Sequence, residues 1–321
     1  MGVVAEHDGL FSATGARLAR LPLGARPLFV VALLLVALVA AVLNLDTSVF
    51  FLTPVLLHLA RHRALHDEPF LYGAVYMSNA ASLFLPGSNL TNLIVLHGER
   101  VSGAAFFART WPAAIAAVAS TVLVLLVLFW RRLGQASDGD PYERTRARLG
   151  VGAVAVSIST VLVLVLAAPA LPVLGVGIAA VLLSRTSRSR IGAAVDVRVI
   201  GGLFVLAVAL GGVGRWWDGP HALFDNLGRW PTAGLGALAA VAVNNLPAAV
   251  LLTPEPAQHA RALLLGLNLG PNLAVTGSLS ALLWLRVARS LDAQPSVRTY
   301  SLIGIVLVPV SLVSALAATS F

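Results

Sequence analysis

Two apolar stretches of the chain carry the same polar pattern, in which an asparagine is followed eight residues later by Leu-Thr-Pro. The first copy runs from Asn44 to Pro54 and the second from Asn244 to Pro254, 200 residues further on. Amide groups and interrupted backbone are costly in a helix that faces lipid, because nothing there satisfies them. Their presence twice, at matching positions, predicts two broken hairpins at the centre of a transporter built from repeats.

A second pair of segments mixes glycine, proline and small polar side chains within apolar sequence. One spans residues 78–92 and the other residues 268–280. Aligning Asn79 with Asn268 places residues 87–90 over residues 276–279, a looser match than the first pair. Irregular backbone at membrane depth is tolerated only where protein or a water-filled cavity surrounds it. We therefore expect two discontinuous helices beside the two hairpins.

These polar residues offer ligands for a small solute or a cation. Half-helix N-termini present free N–H groups and partial positive charge, which suit an anion or a polar solute. Carbonyl and side-chain oxygens can coordinate a hard cation such as sodium. The predicted substrate- or ion-binding residues of the first half are Asn44, Asp46, Thr47, Asn79, Ser82, Ser88, Asn89 and Asn92. Those of the second half are Asn244, Asn245, Asn268, Asn272, Thr276 and Ser278, and a sodium ion could be held by Ser88, Asn89, Thr276 and Ser278.

Each of these residues also has a purely structural interpretation. Serine, threonine and glycine often serve close helix packing in membranes. Asp46 is the sole carboxylate inside an apolar segment of the first half, and no arginine neighbours it in sequence. An unpaired carboxylate at membrane depth suits coupling to protons or to a cation. The alternative is that Asp46, beside Thr47, caps the second arm of its hairpin.

Composition restricts the class of protein. Of the 321 residues, 58% are hydrophobic and 11% are charged, whereas soluble proteins are about 45–50% apolar and about 25% charged. The chain is therefore expected to be a polytopic membrane protein. Its net charge of +8 comes from 22 basic residues, all arginine; because they lie mainly in short loops, they indicate orientation in the membrane and not nucleic-acid binding. The absence of cysteine excludes disulfides, thiolate metal sites and cysteine catalysis.

The arginine-rich loops orient the chain. Loops 131–148 and 185–198 are expected in the cytoplasm. The first hairpin then enters from the cytoplasm and the second from outside, which is an inverted-topology repeat. We expect an all-α fold with about eight to ten membrane segments, two re-entrant hairpins and two discontinuous helices, in the inner membrane of a bacterium. Its divisions are a cytoplasmic N-terminal segment (1–26), a truncated first repeat (27–130), a cytoplasmic loop (131–148) and a second repeat with scaffold spans (149–321).

The same residues resemble a known family. The chain is similar to the arsenite permease (ArsB) and NhaD-like branch of the ion-transporter superfamily over most of residues 27–321. The strings that carry the resemblance are Asn44…Leu-Thr-Pro54, Ala81-Ser-Leu83 with Ser88-Asn-Leu90, Asn244-Asn-Leu-Pro247, and Leu269-Gly-Pro271…Gly277-Ser-Leu279…Leu282-Leu-Trp-Leu285.

This resemblance implies an inner-membrane carrier with scaffold helices around a moving core. For the arsenite branch it implies export of arsenite or antimonite, driven by proton exchange or aided by a partner ATPase. The sequence departs from the family at Asn268 and Asn272, where the family has an aspartate and a lysine. The first half also lacks the scaffold spans that residues 149–217 supply in the second half, so either more sequence precedes it or the protein is a reduced paralogue. The expected partners are the bilayer, a small inorganic or organic anion, and a second copy in a homodimer.

Three other functions are compatible with the pattern to different degrees. A sodium/proton antiporter or a sodium-coupled carrier of dicarboxylate- or citrate-like anions could use the same scaffold, with no cofactor besides the coupling sodium ion or proton. An inactive or structural membrane paralogue is the alternative outside transport. An intramembrane hydrolase is disfavoured, because Gly277-Ser278 is a weak match to a serine nucleophile and no histidine follows it in the sequence.

Overall fold

The computed structural model of the chain describes residues 4, 8–96, 103–135, 150–165, 170–184, 197–217, 219, 227–253 and 259–319. In the first half the helices are α1 (Leu10–Leu18), α2 (Ala25–Val42), α3 (Leu45–His62), α4 (Asp67–Ala81), α5 (Leu90–Val95) and α6 (Gly103–Phe129). In the second half they are α7 (Val151–Val165), α8 (Ala170–Leu183), α9 (Val197–Trp216), α10 (Arg229–Val243), α11 (Asn245–Leu252), α12 (Ala260–Leu269), α13 (Leu279–Ser290) and α14 (Val297–Ala317).

Helices account for the regular structure throughout these ranges, and no strand occurs within them. Short 3₁₀ turns lie at Pro86–Ser88, Arg132–Gly134, Gly270–Leu273 and Val275–Gly277. Three helices, α2, α6 and α14, are long and apolar enough to cross a bilayer. Large apolar side chains on α6 and α14 remain exposed, among them Leu123, Val127 and Ile305, as expected of surfaces that face lipid. The predicted all-α polytopic membrane fold is confirmed.

Both predicted pairs of broken elements are present. The first hairpin consists of α2 and α3 and turns at residues 43–44, and the second consists of α10 and α11 and turns at residue 244. The first discontinuous helix is α4 and α5 with residues 82–89 between them, which we call break 1. The second is α12 and α13 with residues 270–278 between them, which we call break 2.

The two halves repeat the same set of helix contacts. The first arm of each hairpin packs on the first part of its own discontinuous helix, α2 on α4 and α10 on α12. The second arm also reaches the other half of the chain, α3 on α13 and α11 on α5, besides packing on its own half, α3 on α4 and α11 on α9. The long helices α6 and α14 contact each other, and each also contacts the discontinuous helix of its own half. This correspondence agrees with an internal repeat, while the opposite entry of the two hairpins stays a prediction.

The N-terminal segment contains a helix that the sequence did not predict. Helix α1 packs on α3, and a Cβ added at Gly15 would lie 2.7 Å from the Val55 carbonyl oxygen. In the second half α9 packs on α11, and a Cβ at Gly214 would lie 2.8 Å from the Leu251 carbonyl oxygen. Each hairpin thus has a glycine-containing helix against its second arm, so α1 holds the position in the first half that α9 holds in the second.

The structure corrects the role of Leu-Thr-Pro in the first copy. We expected a break in the helix there, but α3 runs through Pro54 to His62. The proline forgoes one backbone hydrogen bond and crowds the carbonyl four residues earlier, yet residues 52–60 are all buried and packing on α1, α4 and α13 holds the helix together. In the second copy α11 ends at Leu252, and Pro254 lies outside the described residues.

Candidate functional site

Each of the four broken elements restarts at a polar side chain that caps the new helix. Such a cap accepts a hydrogen bond from a first-turn N–H group that has no partner within the helix. The cap–donor pairs are Asn44 with the Thr47 N–H (2.7 Å), Asn89 with the Thr91 N–H (3.0 Å), Asn244 with the Leu246 N–H (3.4 Å) and Ser278 with the Ala281 N–H (3.2 Å). The alternative that Asp46 caps α3 is therefore wrong, because Asn44 fills that position and Asp46 lies inside the first turn.

Each hairpin tip is hydrogen-bonded to the break of its own half. In the first half, the Ser88 hydroxyl donates to the Ala41 carbonyl oxygen over 2.7 Å. In the second half, the Asn244 amide nitrogen donates to the Thr276 carbonyl oxygen over 2.9 Å. Asn244 also has φ 76° with ψ 145°, a backbone conformation that residues with a side chain rarely adopt. Its amide therefore uses one end for the cap and the other for break 2.

Helices α3 and α13 lie parallel and begin side by side. At their C-terminal ends, the Arg61 guanidinium donates to the Leu291 carbonyl oxygen over 3.0 Å. At their N-terminal ends, both first turns contact the last turn of α4. The Ser78 hydroxyl donates to the Ser48 hydroxyl oxygen (3.3 Å), and the Ser280 hydroxyl donates to the Asn79 side-chain oxygen (3.4 Å). Two partly positive helix ends are thus brought to one place.

Asn268, on the last turn of α12, is the centre of a buried amide network. Its side-chain oxygen accepts from the Asn89 amide nitrogen (2.6 Å) and from the Ser82 hydroxyl (2.7 Å), which shares its one proton with the Asn79 carbonyl oxygen (2.7 Å). Its amide nitrogen donates to the Asn92 side-chain oxygen (2.9 Å) and to the Leu264 carbonyl oxygen (2.8 Å). Because Ser82, Asn89 and Asn92 belong to the first discontinuous helix and Asn268 to the second, the network joins the two halves.

A second bridge between the halves starts from Asn79, the residue that the sequence aligns with Asn268. The Asn79 amide nitrogen donates to the Asn272 side-chain oxygen over 2.7 Å. The Asn272 amide nitrogen in turn makes a long contact of 3.5 Å to the Tyr76 carbonyl oxygen. Ser280 links this bridge to the cap of α13, since its hydroxyl lies 2.8 Å from that of Ser278. None of these side chains carries a charge.

The predicted residues fall into three groups. The two bridges bring together Asn79, Ser82, Asn89, Asn92, Asn268, Asn272 and, through Ser280, Ser278. Asn44, Thr47, Ser88, Asn244 and Thr276 fix the hairpin tips through the contacts given above. The side chains of Asp46 and Asn245, in the first turns of α3 and α11, make no hydrogen bond or ion pair with any other described residue.

The proposed sodium ligands lie in two places. Ser88 and Asn89 belong to break 1, and Thr276 and Ser278 belong to break 2. Among the described residues no direct hydrogen bond joins one pair to the other, and the Thr276 side chain is exposed whereas the other three are buried. Sodium binding by these four residues stays a prediction.

Aromatic residues that the sequence did not single out hold the elements around the breaks. The Tyr76 hydroxyl donates to the Tyr300 carbonyl oxygen, and the Tyr300 hydroxyl donates to the Pro271 carbonyl oxygen over 3.0 Å. The Trp284 indole N–H donates to the Leu71 carbonyl oxygen over 2.8 Å. All three rings are fully buried. The only signal in the sequence is the spacing of four between Tyr72 and Tyr76, which places two large side chains on one face of α4.

Comparison with known proteins identifies the family. A family model described as citrate transporter (CitMHS) matches residues 1–284. The chain belongs to the citrate transporter family. The ion-transporter superfamily predicted from the sequence is thereby confirmed, whereas the arsenite permease branch is not.

A relative of this citrate transporter family member is the silicon efflux transporter LSI3 of Oryza sativa subsp. japonica. The two are 30% identical over 133 residues, which is 41% of this chain and 27% of the rice protein. The matched part thus spans about a quarter of the relative's length. Family and relative both point to a carrier and not to an enzyme.

Proposed function

We propose that the protein is a secondary active carrier that moves a small, uncharged or weakly acidic oxyacid across the membrane in exchange for protons. The first substrates to test are arsenite, antimonite and silicic acid. The observation that carries the proposal is the meeting of α3 and α13, whose first turns both contact the last turn of α4; we call this meeting point the crossing. Broken helices that meet at a repeat interface are where secondary transporters bind their substrates.

The chemistry of this region favours a neutral solute. The polar groups at the crossing are amides, hydroxyls and backbone groups, and the one ionisable side chain in the first turns of α3 and α13 is Asp46. A polycarboxylate would need cationic partners to offset its desolvation. Undissociated arsenous and silicic acids carry several hydroxyls and no net charge, so neutral donors and acceptors suffice. The relative named for silicon efflux supports a solute of this kind.

Asp46 supplies the coupling group in this proposal. It lies one residue inside the capped end of α3 and has no partner among the described residues. A carboxylate in a partly buried site can exchange a proton when the site opens to either side. The side-chain amide of Asn245, the first residue of α11, also has no hydrogen-bond partner among the described residues and adds a polar group at the start of the second arm of the other hairpin.

Uptake into everted vesicles tests the substrate. With an imposed pH gradient we expect accumulation of arsenite or silicic acid, and a saturating excess of either should inhibit uptake of the other. Vesicles without the protein provide the control. If neither acid accumulates under any gradient, the proposed substrate class is wrong.

A second candidate is favoured by the family match itself. The citrate transporter family model covers most of the chain and favours a carrier of citrate-like anions, for which we propose coupling to sodium. The same vesicles distinguish the two, because citrate uptake that follows a sodium gradient and ignores a pH gradient would favour this candidate. Assembly as a homodimer and cooperation with an ATPase remain predictions for either one.

A further inference from the structure

We infer that Asn268 is a positioning residue that couples the two breaks, so that both halves of the substrate site form and move together. The transport experiment described below rests on the proposed function, whereas the labelling experiment rests on the geometry alone. Asn268 is fully buried and makes four hydrogen bonds. An asparagine side chain can donate two hydrogen bonds and accept two, so this amide has nothing left to offer a solute.

The orientation of the Asn268 amide is fixed by its neighbours. If it were flipped, its oxygen would face the Asn92 side-chain oxygen and the Leu264 carbonyl oxygen, and its nitrogen would face the Asn89 amide nitrogen. Asn92 cannot flip to compensate, because its nitrogen donates to the Ser82 (2.8 Å) and Leu85 (3.1 Å) carbonyl oxygens. The network therefore has one arrangement, and separation of the breaks would leave several buried polar groups unpaired.

Three of the four bonds cross from one half of the chain to the other. Ser82 and Asn89 lie in break 1 and Asn92 lies just beyond it, so Asn268 contacts both ends of that break. Asn89 is also the cap of α5. A change at Asn268 should therefore reach the start of α5 through a single side chain.

The surroundings of Asn268 are electrically neutral. Helix α12 packs on α4, α5, α10, α11 and α14. The charged residues of α12 and of these helices lie in their first turns, away from the network: Asp67, Glu68, Arg229, Arg261 and Arg298. A charge introduced at position 268 would have no partner and should disrupt the network.

The variant Asn268→Asp turns this coupling into a pH-dependent property. As a neutral carboxylic acid the new side chain can still accept from Ser82 and Asn89 and donate to Asn92. As a carboxylate it cannot donate, and an oxygen faces the acceptors of Asn92 and Leu264. Relative to the wild type, arsenite counterflow with equal pH on both sides should fall about tenfold or more between about pH 5.5 and pH 8. The KM at the lower pH should be unchanged.

Two results of the counterflow experiment would overturn the inference. A KM that rises strongly at every pH would make Asn268 a direct ligand of the solute. A rate ratio between variant and wild type that is flat with pH would mean that the network does not control the transport site, even if the variant melts at a lower temperature.

A second experiment, thiol labelling of an introduced cysteine, does not depend on the identity of the substrate. The chain has no cysteine, so Thr91→Cys introduces a single thiol in α5, where the side chain is buried and its hydroxyl has no partner. In the Asn268→Asp background we expect a membrane-permeant thiol reagent to react at least about tenfold faster with this thiol at pH 8 than with that of Thr91→Cys alone, and equally at pH 5.5. The matched control is Thr121→Cys in α6, which is equally buried and unpaired and should not respond.

Unchanged labelling at pH 8 would contradict the coupling, whatever the protein transports. Conversely, absence of wild-type arsenite counterflow would refute the proposed substrate and leave the labelling result standing. If Asn268→Asp does not fold, Ser82→Ala removes one of the two donors to the Asn268 oxygen and should raise the labelling of the Thr91→Cys thiol about threefold at both pH values. No increase with this variant would equally contradict the inference.

Discussion

Four polar side chains, Asn44, Asn89, Asn244 and Ser278, begin the helices that restart after each interruption. The sequence predicted all four as functional residues, and the spacing between the two Asn copies was enough to find the hairpins. It could not predict which residues bond to which, because partners such as Asn79 and Asn272 are 193 residues apart and meet only through the packing of helices. Ser280 was missed as a link for the same reason.

At Ser278, replacement by alanine should cost about 1 kcal/mol of stability, because the first turn of α13 loses its cap. Chemical unfolding of the purified protein in detergent measures this cost. The matched control is Ser290→Ala at the exposed C-terminal end of the same helix, which should change stability by less than about 0.5 kcal/mol. Equal effects at both positions would rule out a capping role.

The backbone conformation of Asn244 predicts how substitutions at this position change stability. Its φ of 76° disfavours a Cβ by about 1–2 kcal/mol, so Asn244→Gly should be more stable than Asn244→Ala. Asn44 is also a cap but has φ −176°, which any residue adopts. The difference between glycine and alanine should thus be larger at position 244 than at position 44 by about 1–2 kcal/mol, as measured by unfolding. Similar differences at the two sites would contradict the strained geometry of the second hairpin tip.

At the scale of secondary-structure elements, the hairpin arms and their neighbours show that tertiary packing can override the local preferences of the sequence. A proline normally ends or kinks a helix, and this preference led to the wrong prediction for Leu-Thr-Pro, since α3 is held on three sides by other helices. Helix α1 escaped prediction because nine residues are too few for a membrane span and its stability comes from contact with α3. The glycines at these contacts set how closely the helices approach.

On α9, two glycines offer a matched test of that close approach. A Cβ at Gly214 would meet the Leu251 carbonyl oxygen at 2.8 Å, whereas one at Gly212 would meet nothing within 4 Å. Gly214→Ala should therefore destabilise the protein by about 1–3 kcal/mol, and Gly212→Ala should be neutral or slightly stabilising. Thermal melting in detergent compares them, and a tolerated Gly214→Ala would show that α9 does not press on α11.

Across the whole molecule, each hairpin is shared between the halves. Its first arm packs on its own half, its second arm contacts both halves, and the amide bridges join the two discontinuous helices. The membrane class could be predicted from composition, and the positions of the helix interruptions from the spacing of the polar residues. The coupling between halves could not, because it depends on which residues of the two discontinuous helices meet in space. In the first turns of α3 and α13 no ionisable side chain other than Asp46 occurs, and this scarcity of charge favours an uncharged oxyacid as substrate.

The most direct test of the proposed carrier separates exchange from coupling at Asp46. Purified wild-type protein and Asp46→Asn are reconstituted in liposomes, and radiolabelled arsenite is followed both in counterflow at equal pH and in uphill accumulation driven by a pH gradient. The wild type should perform both, and Asp46→Asn should keep counterflow but lose pH-driven accumulation, because the substrate site remains and the proton carrier is gone. Accumulation by Asp46→Asn equal to that of the wild type, or wild-type accumulation that follows sodium and ignores pH, would contradict the proposed mechanism.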